Sequence, residues 1–152
     1  LTHLLLIALA AIFALFRLSK TTDKFANAIS FGMIFSVALT LIQIRFVFTA
    51  GFVLFMLCLL LVIIYGFKKK SFNKFNQVLI IIPAFFVFVL YFFQFQHYPY
   101  ARAIGLSMII PVLCYFILLT RVRSFKNELG FMTIIAATAA IEVARRFNWL
   151  MS

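Results

Sequence analysis

Six apolar runs, over residues 2–16, 25–44, 49–67, 78–95, 103–120 and 129–147, are joined by connections too short to fold by themselves. A bilayer core needs roughly 20 helical residues per crossing. Inside it every backbone N–H and C=O must be satisfied within the segment, which helices do. The expected fold is therefore all-α, a polytopic transmembrane helical bundle forming a single domain over residues 1–152. Composition closes off the alternatives. With 66% apolar and 11% charged residues in 152, the chain lacks the polar surface that a soluble domain needs. Its two cysteines, Cys58 and Cys114, lie inside apolar runs and make no disulfide framework.

The formal charge of +11 is a topology signal. Counted along six crossings, the first, third and fifth connections carry ten basic residues: Arg17, Lys20 and Lys24; Lys68, Lys69, Lys70 and Lys74; Arg121, Arg123 and Lys126. The other side holds four, Arg45, Arg102, Arg145 and Arg146. The positive-inside rule then places the basic side in the cytoplasm and both termini outside. A nucleic-acid surface would gather its basic residues on one folded face, so no nucleic-acid partner is expected. Membrane lipids are. Lys68, Lys69, Lys70 and Lys74 serve as a topology anchor that can also attract anionic headgroups.

The first and last runs are less regular than the others. The first is short and is expected to begin at or before Leu1. In the last, Glu142, Arg145 and Arg146 interrupt the apolar pattern, so five spans plus one amphipathic helix at the interface is the alternative topology. Pro83 falls near the start of the fourth run, where it costs little, whereas Pro111 is mid-run and should kink the fifth. Tyr65 is placed at the inner edge, and Tyr91, Tyr98, Tyr100 and Trp149 near the outer edge, as interfacial aromatics.

Ala28, Gly32, Ser36 and Thr40 recur every four residues and draw a stripe of small side chains along the second helix. Such a stripe lets a second backbone approach closely. It is read first as a contact inside the bundle and second as a docking face for another subunit.

Polar residues that could carry chemistry collect near the outer side. Arg45, Gln94, His97, Arg102, Glu142 and Arg145 form the candidate cluster, with Glu142 the only carboxylate there. A charge within a spanning helix marks a functional candidate; the plainer explanation is local pairing with Arg145 or Arg146 one turn on. His3 and His97 lie at the outer ends of two runs, too few ligands for a haem or metal site, and no metal or other cofactor is expected. No nucleophile has a base in sequence register with it and no paired carboxylates or phosphate loop appear, so the chain is read as non-catalytic.

Two functions fit this pattern. One is an accessory or structural subunit of a larger complex, held to other integral membrane subunits by helix contacts. The other is a small solute transporter or substrate-binding component with an outward-facing polar pocket. The minimal loops favour the first, in the cytoplasmic membrane of a bacterium.

Overall fold

A computed structural model describes residues 2–42, 44–97 and 101–151, without the side chains of 2, 101, 102 and 148–151. Its helices are α1 (Thr2–Leu18), α2 (Lys24–Leu41), α3 (Arg45–Lys68), α4 (Lys74–Phe95), α5 (Ala101–Ser107), α6 (Ile109–Thr120) and α7 (Leu129–Met151), with a short 3-10 turn at Val122–Phe125 before α7. Among the described residues there is no strand. Four segments, α2, α3, α4 and the combined Ala103–Thr120, are long and apolar enough to cross a membrane. Two of them start on side-chain caps. Asp23 Oδ1 accepts from the Phe25 and Ala26 amides, and Asn73 Oδ1 accepts from the Asn76 amide, which satisfies donors that the first helical turn leaves open.

α1, α2, α3, α4 and α6 follow one another around the bundle, and α7 touches α1, α2, α4, α5 and α6. Buried residues recur on every side of α7, from Leu129, Phe131 and Met132 through Ile135, Thr138 and Ala139 to Glu142. That burial explains its weak hydropathy. A helix surrounded by helices gains more from small side chains that let neighbours close in than from large apolar ones that face lipid.

The ends of α1–α4 differ from the sequence-based ranges. α3 begins at Arg45 instead of 49, α2 stops at Leu41 instead of 44, and α1 runs on to Leu18 instead of 16. Because the Asn73 cap starts α4 at Lys74, Pro83 is ten residues in and not near the start; α4 nevertheless stays continuous through it. The fifth run is interrupted at Met108, where α5 and α6 meet four residues after Ile104 and three before Pro111. Pro111 has no N–H for the Ser107 carbonyl; the Ser107 hydroxyl donates to Ile104 O at 2.6 Å.

The small-residue stripe packs against α3. A Cβ on Gly51 of α3 would stand 3.0 Å from Ser36 O and from Thr40 N, and one on Gly32 would stand 2.9 Å from Cys58 Sγ. Ser36 is fully buried, Gly32 and Thr40 are half-buried, and Ala28 is exposed. The upper three positions of the stripe are thus occupied within the chain.

Candidate functional site

The connections α1–α2, α3–α4 and α6–α7 meet at one end of the bundle, the basic end. At the opposite end the helices line an open cavity of about 560 Å3, formed by residues of α1, α2, α3, α4 and α7 and by His97. Its wall is largely apolar, with Leu4, Ile7, Phe48, Phe52 and Phe55. Phe52 and Phe55 meet Tyr91 edge-on at 5.3 and 6.0 Å between ring centroids, which fixes Tyr91 inside the bundle and not at an interface. One side of the cavity is polar: Gln94, His97, Glu142 and Arg145 all contribute, joined by His3. Glu142 is 3% exposed. Its Oε1 accepts from Arg145 Nη1 at 3.1 Å, its Oε2 lies 3.9 Å from Arg146 Nη2, and Gln94 Nε2 stands 3.4 Å away.

Four of the six residues placed in the outer cluster by sequence therefore come together. Arg45 is exposed at the start of α3 and does not line the cavity. The Arg102 side chain lies outside the described residues, as do Tyr98, Tyr100 and the Trp149 side chain. His3, which the sequence places with His97 at the outer ends of two runs, also lines the cavity.

His97 holds an unusual backbone. With φ 55° it is the one non-glycine residue of positive φ among those described, and it follows Gln96, the last cap residue of α4. Glycine is the common residue at such a helix end, and a side chain there costs about 1 kcal/mol or more. The strain delivers an imidazole to the cavity. His97→Gly is accordingly expected to stabilise the protein by about 1 kcal/mol while removing that side chain, measured by unfolding in mixed detergent–SDS micelles; a loss of stability would show that the imidazole contributes packing instead.

A second polar constellation was not anticipated. At the basic end Tyr65, placed above at an interface, is 4% exposed and points inward. Its hydroxyl lies 2.9 Å from Asp23 Oδ2 and 2.5 Å from Glu128 Oε1. One phenolic proton is thus shared between two carboxylates. Lys69 Nζ donates to the same hydroxyl at 2.6 Å, pairs with Glu128 Oε1, and sits 3.4 Å from Asp23 Oδ2. The ammonium also lies over the rings of Tyr65 and Phe72, at 5.0 and 4.8 Å. Burial raises the Asp23 carboxyl, but hydrogen bonds from Tyr65 and from the Ala26 and Phe25 amides, with the Lys69 charge, outweigh it and leave Asp23 below its ordinary value. Arg17 Nη2 donating to Lys126 O at 2.7 Å and the Thr22 amide donating to Asn127 Oδ1 at 3.1 Å complete the joint between connections. Neither acid stood out in the sequence, because each lies in a connection, outside the apolar runs where an ionisable group draws notice.

Among the described residues no three His, Cys, Asp or Glu side chains converge as metal ligands would. The cavity is lined mostly by apolar side chains and has one polar side. No protein-family model, curated protein or solved structure matches the chain.

Proposed function

We propose that the chain is a six-span membrane protein, with α5 and α6 forming one broken crossing, its basic end in the cytoplasm and both termini outside, and that it binds a small molecule in the cavity at its outer end. The cavity carries this reading. Its volume, about 560 Å3, falls within the range of small-molecule sites, roughly 300–1,000 Å3, and it combines an apolar wall with a few convergent polar groups. Ten basic residues at the other end support the orientation. A transporter or the substrate-binding component of one would use such a chamber.

The accessory-subunit reading draws on the exposed apolar surface of α3 and α6, including Val53, Leu57, Leu113 and Phe116. Lipid covers that surface equally well. The stripe from Gly32 to Thr40, which would have singled out a partner, already packs on α3.

Native mass spectrometry of the protein purified in mild detergent separates the two. A small-molecule adduct is expected on the wild type and not on Thr49→Trp, which fills the cavity from an exposed position at its rim. A stoichiometric protein partner with no adduct overturns the binding reading in favour of the subunit.

A further inference from the structure

We propose that the cavity takes an amphiphile with one anionic head, a carboxylate or phosphate, which Arg145 binds in exchange for Glu142; this rests on the cavity being a binding site. The charges at its polar side set the sign. One carboxylate, Glu142, faces two guanidiniums, Arg145 and Arg146, three and four residues further along α7, and Gln94 and Tyr91 of α4. The lining itself pairs Glu142 with Arg145, and Arg146, from outside the lining, adds the second positive charge beside Glu142.

The two arginines are not equivalent. Arg145 lines the cavity, its side chain is 60% exposed, and among the described residues a single hydrogen bond, to Glu142, engages one of its five donors. Its remaining N–H groups are available to a planar anionic head, for which guanidinium is well matched. Arg146 does not line the cavity and its side chain is 26% exposed. It occupies space that Gly105 leaves open: a Cβ there would stand 2.7 Å from Arg146 Nε. Among the described residues that buried Nε has no hydrogen-bond partner. Arg146 therefore serves as a reserve counter-ion. When Arg145 turns to a ligand, Glu142 keeps Arg146 and Gln94 and is not left buried with no partner, the arrangement that makes breaking an ion pair costly.

A cationic head meets the opposite situation. Its only carboxylate is already shared by two guanidiniums, and the exposed Arg145 repels it. The apolar wall of Phe48, Phe52, Phe55, Leu4 and Ile7 accommodates a hydrocarbon body on either kind of head.

Calorimetric titration of the protein in nanodiscs of zwitterionic lipid tests the assignment, with octanoate, octyl phosphate and octyltrimethylammonium as probes of equal chain length. The anions are expected to bind at least about ten-fold tighter than the cation. Glu142→Gln removes the competitor and should tighten octanoate several-fold; Arg145→Gln, a change at an exposed side chain that spares the fold, should weaken it about ten-fold or more. Weaker octanoate binding to Glu142→Gln, or a cation that binds as well as the anions, overturns the anionic head while leaving a small-molecule site in place. Failure of all three probes, together with no adduct in native mass spectrometry, overturns both. Repeating the titration in nanodiscs containing phosphatidylglycerol identifies the source: competition assigns the head to a membrane lipid, and unchanged affinity to a soluble amphiphile.

Discussion

Lys69→Met is expected to lower stability by about 3–5 kcal/mol, the usual effect of removing one partner of a buried ion pair. Glu128 is 1% exposed and depends on Lys69 for its counter-charge, since its other partner, Tyr65, is neutral and shared with Asp23. Methionine keeps the length and apolar stem of lysine, so the loss isolates the charge. Adding Glu128→Gln to Lys69→Met should recover more than half of it, because the second change removes the stranded carboxylate. Unfolding in mixed detergent–SDS micelles measures both, and a single-mutant loss under ~1 kcal/mol would mean that water reaches the cluster and screens it as it does a surface pair. Acid supplies an independent check. The folded value of Asp23 lies below its ordinary 3.8, so its contribution is present above that pH and fades as the pH falls through the lower folded value. Asp23→Asn and wild type should therefore differ at neutral pH and converge below it.

The three connections pinned by this cluster account for the asymmetry of the molecule. At the basic end Lys69 draws Asp23 of α1–α2 and Glu128 of α6–α7 onto the end of α3, and Phe25, Phe72 and Phe131 pack on the Tyr65 ring. Among the described residues no comparable joint ties the opposite end, and the only ion pairs there lie within α7. The helices are held together at one end and part around a chamber at the other.

Much of this could be read from residue order and some could not, for physical reasons. Apolar runs separated by Lys and Arg specify helices and connections because hydrocarbon admits little else. Pro111 located the break in the fifth run within a turn, since a missing N–H acts locally. The grouping of Gln94 and His97 with Glu142 and Arg145 was accessible because each sits near the same end of its helix. Arg45 shares that depth and faces away, and depth alone does not give rotation about the helix axis. Tyr65 shows the same limit: its position along α3 fits an interface, whereas its direction, set by packing against Phe25 and Phe131, is inward. α7 inverted the usual signal, being the least apolar of the long helices because it is the most enclosed. The Asp23–Lys69–Glu128 joint links residues from three connections, and no spacing rule connects them.

Gly51 and Gly32 make the last contrast, since both lie on the α2–α3 contact and are expected to respond to alanine with opposite signs. At Gly51 a methyl would meet Leu39 Cβ at 2.8 Å and the α2 backbone, Ser36 O and Thr40 N, at 3.0 Å each. Neither backbone nor Cβ atoms can swing aside, so α2 must move as a whole, and overpacking of this kind costs about 1–3 kcal/mol. At Gly32 the nearest atom is Cys58 Sγ at 2.9 Å, the end of a side chain that can turn to another rotamer. Gly32→Ala is then left with the gain of replacing glycine within a helix, about 0.5–1 kcal/mol, more fully so when Cys58→Ala clears the space. The displacement caused by Gly51→Ala also falls on Ser36 and Thr40, which line the cavity, so it should weaken ligand binding as well as stability. Paired unfolding and titration of the two alanine variants would decide the matter: equal losses at both glycines would mean that α2 and α3 approach as smooth surfaces, while a loss confined to Gly51 identifies the one point where the backbones touch.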